Sequence, residues 1–136
     1  TRDLARVLPG PCRCGRSHRR ISRILGRSDD MFIIRGCNVF PMQIEKILMR
    51  VPGIGSEYQI ELVSNGDNDD IIVKVEINPD VISLDNYGAL EQLRSKIIHD
   101  LREEILVTPH VHLSENNSLP RAEGKAQRVF DKRTKL

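Results

Sequence analysis

The feature that most limits how this chain can fold is an apolar period that changes three times between residues 41 and 113. Pro41 is followed by Ile44, Ile47, Leu48 and Val51 at i, i+3, i+4 and i+7 spacing, with proline in the first turn, where its missing N–H costs nothing. This predicts an amphipathic helix ending at Pro52-Gly53. Tyr58, Ile60 and Leu62 then alternate with Gln59 and Glu61, and Ile71, Val73, Val75 and Ile77 alternate with Lys74 and Glu76, the period of half-buried strands. The Asn65-Gly66 step between them favours a hairpin connection, read as longer than two residues because it runs through Asp70. Helical spacing returns at Leu90, Leu93, Ile97, Ile98, Leu101 and Ile105, after a polar Asp85-Asn86 start and before Pro109. His110 to Leu113 follows as a short strand.

Upstream, residues 20–25 and 31–35 are short apolar-bearing runs around Gly26-Arg27-Ser28-Asp29-Asp30, which reads as a hairpin with a polar turn. Residues 1–20, rich in Arg, Pro and Gly, read as loop. Residues 114–136 read as a polar tail, mobile unless docked. The order hairpin, helix, strand, strand, helix, strand predicts a small α+β domain: a ferredoxin-like antiparallel sheet with two helices on one face, preceded by the β-hairpin.

With 136 residues, 39% hydrophobic and 29% charged, the chain has room for one core, and disordered or fibrous classes are excluded. No apolar run approaches the roughly 20 residues of a membrane span, and no signal-peptide core follows the basic start. Three cysteines, two of them in Cys12-Arg13-Cys14, argue against a disulfide framework and for a reducing, cytoplasmic setting. Charge is segregated: residues 1–50 carry 11 Lys and Arg against 4 Asp and Glu, residues 51–107 carry 4 against 12, and residues 108–136 carry 6 against 3. Basic ends that met in space would offer phosphates a positive face. The alternative is an ordinary mixed surface.

Three groups of residues invite chemistry. Gly26-Arg27-Ser28-Asp29-Asp30 and Arg35-Gly36-Cys37-Asn38-Val39-Phe40-Pro41 stand near the start, and Leu119-Pro120-Arg121-Ala122-Glu123-Gly124-Lys125 near the end. Alone, the first is a turn and Lys125 an exposed lysine. Together with Thr1-Arg2-Asp3-Leu4, in this order and spacing, they resemble the C-terminal domain of the AMP-forming acyl-CoA synthetases, the adenylate-forming superfamily, and most of all its ligases of aryl and arylalkyl acids. The resemblance covers essentially the whole chain.

It implies a reaction in which a carboxylate attacks the α-phosphate of ATP, supplied with Mg2+, and the thiol of CoA then displaces AMP from the acyl-adenylate. It also implies a large N-terminal adenylation domain in the same chain, with residues 1–26 as the end of that domain and its linker and 27–136 as the mobile C-terminal domain. Lys125 matches the adenylation lysine, a cation suited to charge growing on the α-phosphate and pyrophosphate. Asp3 matches the carboxylate that accepts from the ribose hydroxyls, and Arg27 an arginine that reaches the nucleotide. Asp29 matches the hinge and Gly36 a close approach to the CoA arm. The partners implied are the aryl acid, ATP and CoA, with no nucleic acid and no membrane, and the piece alone is expected to be inactive. A chain that starts at Thr1 without Met reads as part of something longer.

Two rivals share the fold. A nucleic-acid-binding domain would need paired aromatics on its central strands, and Phe32, Phe40, Tyr58, Tyr87 and Phe130 do not supply them. A small-ligand regulatory domain leaves Gly124-Lys125 unexplained. Cys12, Cys14 and His18 offer zinc ligands at an unusual spacing and lack a fourth, so no metal site is assigned. His110 and His112 alternate on a strand and are read as surface histidines.

Overall fold

The computed structural model describes all residues except 29, 122–126 and 134–136. Its centre is a four-stranded sheet of β7 (Ile54–Asn65), β8 (Asn68–Ile77), β9 (His110–Ser114) and β10 (Val129–Asp131), in the order β10-β7-β8-β9. Helices α1 (Pro41–Leu48) and α2 (Tyr87–Ile105) supply Ile44, Leu48, Leu93, Ile97, Leu101 and Ile105 to one core with Tyr58, Ile60, Leu62, Ile71, Val73, Val75 and Val111. Because strand side chains alternate, those sheet residues share one face and both helices cover it. Gln59, Glu61, Ile72, Lys74, His110 and His112 fall on the other. The α+β class and the one-sided helices are as the apolar periods predict.

The helix ends follow the expected chemistry. Pro41 opens α1, and the Gln43 side chain accepts from the Phe40 N–H at 3.0 Å, satisfying a donor at the helix start. Asn86 caps α2 by accepting from the Ala89 N–H at 3.1 Å. Leu106 closes that helix in the left-handed region.

Five details differ from the sequence reading. The sheet is mixed: β7 and β8 are antiparallel, whereas β9 runs parallel to β8 and β10 parallel to β7. A helical crossover such as α2 returns the chain to the end of the sheet it left, and a parallel partner follows. The β7–β8 loop is tight, since Asn65 pairs with Asn68, leaving two loop residues with Gly66 at φ +66°.

The early hairpin is displaced. It is formed by β5 (Phe32–Ile34) and β6 (Cys37–Val39), with Arg35 and Gly36 both at positive φ (49° and 79°), the requirement of a type I′ turn. The sequence 26–30 does not connect a hairpin. Instead β1 (Asp3–Leu4) pairs with β4 (Gly26–Arg27), and β2 (Val7–Leu8) with β3 (Arg20–Ile21), so residues 1–27 are not simply loop. Nor is the tail all free, because β10 adds to the sheet and Leu119 is buried.

Ion pairs tie the pieces together. The Arg35 guanidinium binds the Asp70 carboxylate and donates to the Asp69 carbonyl at 3.1 Å. Arg133 donates to the Ile33 carbonyl (2.8 Å) and to Asp69 Oδ2 (3.0 Å). Much of the tail's positive charge is therefore matched by the acidic middle of the chain, and does not add to a phosphate-facing surface.

Candidate functional site

Antiparallel pairing of β1 with β4 sets Asp3 directly opposite Arg27, an arrangement in which opposite charges favour each other. Ser28 continues the ladder, its N–H donating to the Arg2 carbonyl at 2.8 Å. Two of the residues singled out in the sequence thus become neighbours across 24 positions. Asp29 lies outside the described residues.

Beside this pair opens a cleft of about 630 Å³ lined by Arg27, Asp30, Met31, Phe32, Pro41, Met42, Glu45, Tyr58, Leu62, Gln127, Arg128, Val129 and Asp131. Arg27 and Asp30, which bracket Asp29 in the sequence, therefore share one cavity with residues 127 and 128, which follow Lys125 in the chain. Lys125 itself lies outside the described residues. Gly36 is not part of the lining. It sits in the exposed turn of the β5–β6 hairpin, where an added Cβ would meet nothing within 4 Å, so its φ rather than crowding favours glycine there.

The wall of the cleft is built from side chains that alternation alone does not reveal. Tyr58 is buried on β7 beneath the Arg128 guanidinium, 4.7 Å from the ring centroid, a cation–π geometry. Burial, reinforced by the nearby Glu45 carboxylate, pushes the Tyr58 hydroxyl up to about 12 despite Arg128. Arg128 also donates to Glu57 Oε2 at 2.7 Å.

On the far side of 122–126, the Leu119 N–H donates to Glu76 Oε1 (2.9 Å) and Arg121 Nη2 to Glu76 Oε2 (2.8 Å). Glu76 is only 1% exposed. A buried carboxylate survives by such charge-assisted bonds. In sequence Glu76 looks like an outward residue of an alternating strand, and nothing there marks it as buried.

The zinc candidates do not converge. Cys12 Sγ and Cys14 Sγ lie 3.0 Å apart, and hydrogen bonding from Cys12 to the Cys14 sulfur, with a backbone bond at Arg16, lowers the Cys14 thiol against the opposing effect of desolvation. Among the described residues no three His, Cys, Asp or Glu side chains gather as metal ligands, His18 included. Nor is any described helix long and apolar enough to cross a membrane. His110 and His112 are exposed, and His110 Nε2 stands 3.8 Å from Asp70 Oδ2.

A fold in which a one-sided α+β sheet carries a cleft between an early turn and a late basic segment has relatives. Residues 36–133 match the family described as the AMP-binding enzyme C-terminal domain, and the chain belongs to that family. Among curated proteins it is similar to the phenylacetate-coenzyme A ligases of Aromatoleum evansii (42% identity over 99% of this chain and 30% of the relative) and Escherichia coli strain K12 (42%, 98% and 30%). The chain thus spans about 30% of the length of these relatives. It resembles a crystallised domain of phenylacetate-coenzyme A ligase from Bacteroides vulgatus (TM-score 0.72, 42% identity, 79% of this chain and 97% of that one). It also resembles a 2-hydroxyisobutyryl-CoA ligase, of which it covers 28%. The TM-score is 0.83 in the postadenylation state (32% identity, 96% of this chain) and 0.72 in the thioesterification state (33%, 97%).

Proposed function

We propose that this chain is the C-terminal domain of an AMP-forming phenylacetate–CoA ligase and supplies that enzyme's adenylation lysine and its hinge. The observation that carries the reading is the shared cleft: Arg27 and Asp30, around Asp29, and Gln127 and Arg128, just after Lys125 and about a hundred positions on, line one cavity beside the Asp3–Arg27 pair. The ligase names of relatives that are 42% identical over the whole chain support the substrate.

In the first step the phenylacetate oxygen attacks the α-phosphorus of ATP, supplied with Mg2+, and the bond to pyrophosphate breaks. Lys125, on the segment that ends at the cleft, places an ammonium where charge accumulates on the α-phosphate and the departing pyrophosphate. Arg27 reaches the nucleotide with a guanidinium suited to its oxygens, and Asp3 accepts from the ribose hydroxyls. In the second step the CoA thiolate attacks the acyl carbon and AMP leaves. Before it, the domain pivots at Asp29 and brings the Gly36 turn to the CoA arm.

A pivot at Asp29 leaves Arg27 and Ser28, which pair with residues 2–3, with residues 1–26 on the side of the large N-terminal domain, and residues 30–136 as the small one. Such a pivot accounts for the different agreement with the two states of the 2-hydroxyisobutyryl-CoA ligase. The large domain supplies the acid pocket, and this piece alone is inactive.

The test is Lys125→Ala in the full-length ligase. Phenylacetate-dependent exchange of pyrophosphate into ATP should fall about 10²–10³-fold, the cost of removing one transition-state donor, while thioester formation from preformed phenylacetyl-adenylate persists. Normal exchange in the variant would remove Lys125 from the mechanism. No exchange in the unmutated ligase with phenylacetate would remove the substrate.

A further inference from the structure

The loop between β2 and β3 holds chemistry that the ligase reaction does not use. Its base is the pairing of Val7 with Ile21 and of Leu8 with Arg20, reinforced where Arg20 donates to the Pro9 carbonyl at 3.0 Å. At its tip the Gly15 N–H donates to the Cys12 carbonyl at 3.0 Å, and Gly15 takes φ +78°. Cys12 to Gly15 therefore form a closed turn, fixed by its own backbone. The turn brings two thiols together, with Cys12 Sγ and Cys14 Sγ 3.0 Å apart. Cys14 is exposed and Cys12 half-buried, so a small molecule in solution can reach the pair.

The surroundings favour a reactive sulfur. Seven arginines and no Asp or Glu stand between Leu4 and Ser28, with Arg13 and Arg16 beside the two cysteines. The thiolate is the nucleophile in disulfide exchange, and neighbouring cations stabilise it. Hydrogen bonding from Cys12 and at Arg16 further holds the Cys14 thiol below its ordinary value. The same positive charge raises the local concentration of anions. A zinc site needs three or four protein ligands. The turn supplies two, and among the described residues no third His, Cys, Asp or Glu side chain joins them.

We propose that Cys12 and Cys14 form a thiol–disulfide exchange site for small disulfides that carry negative charge. The Cys14 thiolate attacks one sulfur of the small disulfide, its S–S bond breaks, and half of it leaves as a thiolate. Cys14 and the retained half are then a mixed disulfide. Cys12 gives its proton to solvent and attacks Cys14 Sγ, which expels the second half and closes the Cys12–Cys14 bond. Two protein thiols are oxidised and one disulfide is reduced to two thiols, with no further reactant. Closure needs the two sulfurs to move from 3.0 Å to about 2.05 Å, a displacement within one turn. In a reducing setting the pair rests as thiols and the bond is transient.

The experiment exposes the full-length ligase, with Cys12→Ser and Cys14→Ser, to glutathione disulfide. The peptide spanning residues 4–28 is then released by a protease that spares arginine and weighed by mass spectrometry. The unmutated peptide should become two hydrogens lighter and keep no glutathione. Cys12→Ser should stop with glutathione on Cys14, and Cys14→Ser should react about tenfold more slowly than the unmutated chain. Cystamine, a cationic disulfide, should oxidise the unmutated pair about tenfold more slowly than glutathione disulfide at low salt, a gap that closes as salt rises. Glutathione retained on the unmutated pair would show that Cys12 does not resolve the mixed disulfide, and would overturn the proposal. Equal rates for the two probes would overturn the preference for negative charge. Thiols that react only after a chelator is added would make the pair metal ligands and overturn the site.

Discussion

The two ends of the described chain are both rich in arginine and irregular in sequence, yet they are held in different ways. Residues 1–27 form two short antiparallel pairs that leave apolar side chains in solvent: Val7 is 63% exposed, Ile21 60% and Leu25 54%. Arg20 donates there to the Pro9 carbonyl at 3.0 Å. Residues 119–133 instead place Leu119 in the interior, add β10 to the main sheet, and set Arg121, Arg128, Lys132 and Arg133 against Glu76, Glu57, Glu61 and Asp69. Composition does not separate the two. What separates them is the acidic, partly buried surface of β7 and β8, which gives the later segment specific partners. The apolar face left by the earlier one fits a segment proposed to belong with a larger domain.

That contrast can be broken by substitution, and the steepest cost should come at Arg121. Arg121→Met leaves Glu76 buried with its charge unmatched, and the 136-residue chain should lose about 3 kcal/mol in urea unfolding, the usual cost of orphaning a buried charge. A loss below 1 kcal/mol would mean that the tail is not fastened there. Leu119→Ala should cost about 2 kcal/mol, near the lower end for a buried leucine because the site lies close to the surface.

A smaller effect depends on pH. A hydrogen bond from Lys74 (2.8 Å), together with Lys132 (3.0 Å), holds the Glu61 carboxyl below the usual glutamate range against the opposing effect of burial. Because its folded-state pKa is depressed, Glu61 contributes stability above the unfolded value of about 4.3. That contribution is lost as pH falls through the folded-state value. Urea midpoints between pH 6 and 3 should therefore decline less steeply in Glu61→Gln, and parallel curves would remove Glu61 from the account. The weakest effect is expected in the early segment, where Leu25→Ala should change stability by no more than about 0.5 kcal/mol. A larger loss would show that the two ends are held alike.

Much of the fold is legible in the apolar periods. Ile44 and Leu48, then Leu93, Ile97, Leu101 and Ile105, are buried at the positions that helical spacing selects, as are Tyr58, Ile60, Leu62, Ile71, Val73, Val75 and Ile77 at those that alternation selects. Local patterns fail where pairing is non-local. Nothing in Val129, Phe130 and Asp131 announces a strand, because its partner lies some 70 residues earlier and the strand exists only through that partner. The early hairpin was misplaced for a related reason: Gly26-Arg27-Ser28 looks like a turn, but its hydrogen bonds go to residues 2–4.

At the candidate site, motif order picks out Asp3 and Arg27 in the sequence but not their pairing across β1 and β4. Glu57, Glu76 and Arg128 went unread because their roles depend on a register shift between Ile54 and Tyr58 and on which strand the tail covers. Such facts are set by three-dimensional register, which a periodic pattern does not encode.

The parallel edge strand also bears on how the chain is made. Residues 54–114 contain β7, β8, α2 and β9, and the β7–β8 and β8–β9 pairings are both made within that stretch, so three of the four strands can assemble while the remainder is still being synthesised. Until residues 129–131 emerge, the outer rim of β7 at Ile60, Glu61 and Leu62 has no strand beside it. An open rim of that kind is a template for pairing with another nascent chain. Early termination before Val129 would therefore produce a self-associating product, so the stretch that follows Lys125 also serves as a seal against aggregation.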